Sequence, residues 1–229
     1  MRAETEQHHG RSRGSGRLSG NSSLLAGLIL VSLAVCYCIS YLDTGLALLV
    51  KQHVFRNGLW ARSMSSIPDA LFFIVLFVTV TAFVSFRYRV SKATLDATTL
   101  TCKLLACVMP LTFVGKTVLK YIFGRINTRE WLNAPHEYGF HWFHGGEQYC
   151  GFPSGHMAVF TALIAVLWRL HPRYRAAYLA FLLLLASALI VTNYHFLSDV
   201  IAGVYVGILI EALTWRVAGR DRRFQAISG

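Results

Sequence analysis

Long apolar runs, parted by short polar segments rich in arginine and lysine, narrow most sharply what this chain can become. The runs cover about Leu24 to Tyr41, Ala70 to Phe86, Leu100 to Leu119, His156 to the residue before Pro172, Ala177 to Val191 and Val200 to Trp215. A helix needs roughly 20 apolar residues to cross a bilayer. Inside lipid every backbone N–H and C=O must find a partner within the chain, so runs of this kind are read as helices. Of the 229 residues, 55% are hydrophobic and 14% charged, against about 25% charged in soluble domains. The expected fold is therefore all-α: an integral membrane bundle of about six transmembrane helices. One membrane domain, 22–218, is expected between a basic tail at 1–21 and a second at 219–229.

The polar punctuation refines these bounds. Residues 1–21 are rich in Arg, Ser, Gly and His, a composition that predicts disorder. The first run is longer than the roughly 7–15 residues of a signal-peptide core, and Val35 before Cys36 is too bulky for a lipoprotein cleavage box, so a retained helix is expected. Gly45 to Val54, after Asp43, reads as an interfacial segment or a continuation of the first hairpin. Ser65-Ser66-Ile67-Pro68-Asp69 is a helix-start signal. Pro110 lies inside the third run, where a membrane helix tolerates it. A long polar loop is expected over 120–155. Four of the five cysteines, Cys36, Cys38, Cys102 and Cys107, lie in or near apolar runs and only Cys150 in a polar loop, so no disulfide framework is indicated.

The net charge of +11 raises the question of nucleic acid, but the basic residues cluster at the termini and between apolar runs, which is positive-inside bias. No nucleic-acid partner is expected. Arg2, Arg11, Arg13 and Arg17, then Arg87, Arg89 and Lys92, then Arg169, Arg173 and Arg175, then Arg216, Arg220, Arg222 and Arg223 fall on one side of a six-helix arrangement. These are 14 of the 22 lysines and arginines. Both termini are thus expected in the cytoplasm. The 120–155 loop and the Tyr194–Asp199 turn then meet on the opposite, outer face.

Three polar clusters carry chemistry. Lys120-Tyr-Ile-Phe-Gly-Arg125 places two cations just past the third helix, either as an anchor for lipid headgroups or as an anion clamp. Phe152-Pro153-Ser154-Gly155-His156 precedes the fourth run; Ser154 can cap the helix, and a helix start offers free N–H groups to a phosphate. Asn193-Tyr194-His195-Phe196-Leu197-Ser198-Asp199 sets His195 and Asp199 four apart, on one face of a helical turn. Asp199 would fix the tautomer of His195 and leave its other nitrogen as a nucleophile. A plain helix cap and a structural His–Asp pair are the alternatives. Taken together, the clusters describe phosphoryl transfer. Cations and N–H groups hold the phosphoryl oxygens, His195 attacks phosphorus, and His156 protonates the leaving oxygen before activating water. No metal or cofactor is required.

These residues resemble the type 2 phosphatidic acid phosphatase superfamily. Its second signature block is complete as Pro153-Ser154-Gly155-His156, and its third keeps His195 and Asp199 at the right spacing. The stretch Tyr138-Gly-Phe-His-Trp-Phe-His-Gly-Gly146 looks like that of a bacterial subgroup. The resemblance covers about 120–207. It implies a six-helix membrane phosphatase that needs no metal, with His195 as nucleophile, Asp199 as its partner, His156 as general acid, and Lys120, Ser154 and Gly155 holding phosphate. Two departures stand out. Asn127-Thr128 replaces the Arg-Pro of the first block, and Ala188-Leu189 replaces the Ser-Arg of the third. Arg125 or Arg129 could restore the first guanidinium, and Arg129 or a loop residue such as His144 could compensate for the second.

The expected function is a lipid-phosphate phosphatase of the bacterial inner membrane with its site facing the periplasm. Phosphatidate, phosphatidylglycerol phosphate, lipid A and isoprenyl diphosphate all suit such a site. A lipid phosphotransferase using the same phosphohistidine is the sibling reading. A catalytically dead scaffold or lipid transporter is the contrasting one, motivated by the missing arginine.

Overall fold

The computed structural model describes residues 12–54, 67–133 and 138–219. Most of the N-terminal tail, the cap at Ser65-Ser66 and the C-terminal tail from Arg220 lie outside the described residues. Among the described residues eight α-helices follow one another: α1 (Ser12–Tyr37), α2 (Asp43–Val54), α3 (Ile67–Ser91), α4 (Ala97–Phe123), α5 (Thr128–Asn133), α6 (Gly155–Leu170), α7 (Arg175–Val191) and α8 (Leu197–Thr214). No strand occurs among the described residues, only an isolated bridge between Arg125 and Phe140. Five helical runs among the described residues are long and apolar enough to cross a membrane: 22–53, 71–91, 97–123, 172–191 and 197–218. The sixth, α6, has 16 residues, or about 24 Å, a turn or so short of the hydrocarbon thickness. Its first residues Gly155, His156 and Met157 are buried by neighbouring helices.

The structure corrects several boundaries. α1 reaches back to Ser12, into the stretch read as a disordered tail. Gly45 to Val54 is no separate segment, because α1 and α2 join through a π-helical turn at Cys38–Leu42 into one helical run. Asp43 donates its N–H to the Cys38 carbonyl, five residues back, as a π turn requires. Such turns break the register of an α-helix and recur at functional sites. Here the turn precedes Asp43, which is 1% exposed in spite of its charge. α4 runs unbroken through Pro110 and reaches Phe123, so Lys120 sits in its last turn and not in the loop. The loop itself contains α5.

The bundle is built around α8. Half of its apolar window is buried, against 6% for that of α7, which faces outward. α8 packs on α6 at very short range because two glycines line the contact. A Cβ on Gly203 would come within 2.6 Å of the Ser154 carbonyl oxygen, and one on Gly207 within 2.5 Å of that of Ala158. Small residues permit such backbone approach in membrane helices. α3, α4 and α6 close the other side with Leu71, Val75, Leu104, Val108, Met109 and Val159. Side chains such as Leu30, Phe77, Val84 and Leu184 stay exposed on the outer surface, as expected where the surrounding medium is hydrocarbon. α4 ends where α6 and α8 begin, so their termini converge at one end of the bundle. At the other end Asp96 caps α4 through Thr99 N at 2.9 Å and pairs with Arg89.

Candidate active site

The two histidines are held by different devices. His156 is the second residue of α6. Ser154 caps that helix, its hydroxyl accepting from Met157 N at 3.5 Å. The Ser154 N–H donates to the Asp199 carbonyl at 2.9 Å, which ties the start of α6 to the first turn of α8. His195 does not lie on a helix as the spacing predicted. It sits in the turn between α7 and α8, where Tyr194 N and His195 N both donate to the Leu189 carbonyl, at 3.0 and 3.3 Å. Asn193 bends the chain there with φ +49° and anchors it through the Ala47 carbonyl at 3.2 Å.

His195 and Asp199 nevertheless meet. Nδ1 of His195 is 3.6 Å from Oδ2 of Asp199. The same oxygen accepts from Phe196 N at 3.0 Å, so Asp199 also closes the start of α8. Neither ring nitrogen has a hydrogen-bond partner among the described residues, but Nδ1 is turned to the carboxylate, which leaves Nε2 for chemistry. The His156 and His195 rings stand 6.5 Å apart, centroid to centroid, with Tyr194 against both. Burial pushes His195 below the ordinary imidazole value, against the opposing pull of Asp199. A neutral imidazole is the form that can attack.

Both rings open into a cavity of about 670 Å³. Lys120, Arg129, Gly155 and His144, all singled out in the sequence, line it as well. Lys116 does too, one helical turn before Lys120 on the same face of α4. Its aliphatic chain crosses Gly155 so closely that a Cβ there would meet Lys116 Cδ at 2.7 Å. Like charges four apart on a helix repel, and here both border one cavity beside a helix N-terminus. The wall is built for an anion. Arg129 reaches it from α5, donating to the Thr192 carbonyl at 3.2 Å and lying over the Tyr194 ring.

Two expected phosphate ligands are elsewhere. Arg125 does not line the cavity. Its guanidinium is wholly buried and donates to Asp199 at 2.6 Å, Asp43 at 2.8 Å, Ser198 at 2.5 Å and Tyr138 at 3.1 Å. Burial pulls its pKa down, but Asp199 and Asp43 outweigh this and hold it above the usual arginine value. Ser154 is fully buried and acts as a helix cap, outside the cavity lining. The three sequence clusters leave out Lys116 and Asp43 and give Tyr194, inside the third, no role of its own. The cost of an acid inside an apolar run was a signal for Asp43, as it was for Asp199.

The PAP2 superfamily matches the chain over residues 100–223. Proteins named lipid A 1-phosphatase from Rhizobium johnstonii and Rhizobium etli are each 38% identical over 88 residues. The matched stretch covers 37% of this chain and 36% and 38% of those proteins, little more than a third of their length. No solved structure matches significantly.

Proposed function

The chain belongs to the PAP2 superfamily, and from that premise we propose that it is a lipid-phosphate phosphatase working through a phosphohistidine on His195. The observation that carries this reading is the pairing of a buried, Asp199-backed imidazole with a second histidine across a cavity walled by Lys116, Lys120 and Arg129.

The substrate's phosphoryl group enters between the two rings, its oxygens toward the lysines and the N–H groups at the start of α6. Nε2 of His195 forms a bond to phosphorus as the bond to the lipid oxygen breaks. His156 gives that oxygen a proton. Neutral again on the ring nitrogen it used, His156 then takes a proton from water. The hydroxide attacks phosphorus, the N–P bond breaks, and inorganic phosphate leaves. Asp199 stabilises the charge on His195 in the first step and orients its ring throughout. Preorganised cations in a site shielded from bulk water supply the transition-state stabilisation that phosphoryl transfer asks for.

Arg129 supports the idea that the site has rebuilt its clamp. Leu189, where the family's arginine would stand, is buried against Met157 and Val200. Arg129 bonds Thr192, three residues further along the same end of α7. A guanidinium therefore reaches this corner from α5 when none comes from α7.

The positive-inside pattern supports a periplasmic site in the inner membrane, with both termini in the cytoplasm. Phosphate esters and diphosphates of lipids, lipid A among them, fit the chemistry. The test is phosphate release by purified protein from phosphatidate, phosphatidylglycerol phosphate, lipid A and isoprenyl diphosphate. His195→Ala should abolish release from every accepted lipid; release unchanged by that substitution would remove the mechanism. Transfer of the label to an added lipid alcohol in place of water would mark a phosphotransferase.

A further inference from the structure

Arg125 and Asp43 form a buried charge cluster behind the proposed nucleophile, and the cluster reaches outside the region that the family match covers. Asp43 comes from the first membrane helix, Arg125 from the turn after α4, and Ser198 and Asp199 from the first turn of α8. All four side chains are 0–1% exposed. Arg125 bridges the two carboxylates at 2.8 and 2.6 Å. Ser198 closes the ring: its hydroxyl accepts from Arg125 and donates to Asp43, and its N–H donates to Asp43 Oδ1 at 3.1 Å. Ionised groups this deep persist only when paired, and breaking one pair strands another charge. Asp199 therefore has one oxygen, Oδ1, held by Arg125, while the other accepts from Phe196 N and faces the His195 ring at 3.6 Å.

We propose that Asp43 and Arg125 are positioning residues for catalysis: they hold the Asp199 carboxylate in place and aimed at His195, so that the first membrane helix is part of the active site. This rests on the reading of His195 as the nucleophile. Arg125 holds Oδ1 of Asp199 and leaves Oδ2 facing the imidazole that becomes cationic as phosphorus is attacked. None of these groups except His195 lines the cavity, so their loss acts on the chemical step and not on lipid binding. The π turn before Asp43 and the left-handed Gly124 before Arg125 (φ +52°) are the backbone features that turn these side chains inward.

The experiment compares Asp43→Asn, Ser198→Ala and His195→Ala in detergent, each checked for monodispersity, with kcat and KM measured on a lipid that the wild-type protein hydrolyses. Asp43→Asn is expected to lower kcat at least tenfold with KM within about twofold. Ser198→Ala, which removes a single hydroxyl and preserves packing, is expected to lower kcat several-fold in the same pattern. If Asp43→Asn does not fold, Ser198→Ala decides. A folded Asp43→Asn or Ser198→Ala protein with wild-type kcat, or one whose loss lies in KM, would overturn the proposal. If His195→Ala retains full turnover, the active-site reading itself fails. If His195→Ala is dead while the cluster variants are fully active, only the positioning role fails.

Discussion

Nδ1 of His195 and Oδ2 of Asp199 face each other at 3.6 Å, across the boundary between a turn and a helix. The gap is slightly long for a hydrogen bond in the resting protein, and catalytic contacts of this kind commonly tighten only when substrate is bound. Replacing the acid without changing its shape is the sharpest probe of the pair. Asp199→Asn is expected to lower kcat by about two to four orders of magnitude, the range in which misoriented catalytic imidazoles fall.

The same pair sets a pH response. Burial holds the His195 pKa below the ordinary value of about 6.5, so the neutral, nucleophilic form persists to lower pH than a free imidazole would allow. The acid limb of kcat/KM should lie below that value. Asp199 opposes the shift, so in Asp199→Asn the His195 pKa falls further and the acid limb moves to still lower pH, on top of the lost rate. A pH–rate profile of both proteins on one lipid checks the sign.

Lys116 and Gly155 act as a unit. Gly155→Ala puts a methyl group 2.7 Å from Lys116 Cδ. That contact is with a flexible side chain, so folding should be nearly intact while the ammonium is displaced from the cavity wall. The expected result is a fall in kcat/KM like that of Lys116→Ala, about tenfold to a hundredfold, with a small change in melting temperature. Steady-state kinetics beside a thermal melt would separate this from simple destabilisation.

Gly203 and Gly207 should behave in the opposite way. Their added Cβ atoms would meet backbone carbonyls at 2.6 and 2.5 Å, and helix backbone cannot yield as a lysine chain can. Gly203→Ala and Gly207→Ala are each expected to destabilise the bundle by about 1–3 kcal/mol. Gly203→Ala should also depress activity, because it parts Ser154 from Asp199 at the joint that sets the two histidines in register. Thermal unfolding in detergent measures the first effect and turnover the second.

Arg129→Ala tests the rebuilt clamp. A loss of about a hundredfold or more in kcat is expected, the scale of removing one transition-state donor, with partial recovery in Arg129→Lys. Unchanged turnover would leave the missing family arginine without a substitute.

Much of this was legible in the sequence, for physical reasons. A bilayer leaves a backbone few choices, so the apolar runs became helices, the first of them far longer than its run and the others within a few residues of theirs. The helix-start chemistry of Ser154 and the four-residue spacing of His195 and Asp199 located two sides of the site. Other features depended on backbone turns that no periodicity encodes. Arg125 was grouped with Lys120 because the two are neighbours in sequence. Gly124 adopts φ +52° in a place where a Cβ would meet the His141 carbonyl oxygen at 1.9 Å, and beyond it Arg125 turns into the protein. Asp43 stands in the sequence between the first apolar run and the shorter stretch Gly45 to Val54. The helix continues through it, since its charge is neutralised inside the bundle. Lys116 lies within the third apolar run, and only the packing of α4 over Gly155 brings it to the cavity.

The most direct measurement is capture of the covalent intermediate. Purified protein is mixed with a lipid carrying labelled phosphate, quenched in alkali, where phosphohistidine survives, and digested for peptide mapping. Label is expected on the peptide containing His195 in the wild-type protein and none in His195→Ala. Full phosphate release with no label on His195, or release that persists in His195→Ala, would contradict it.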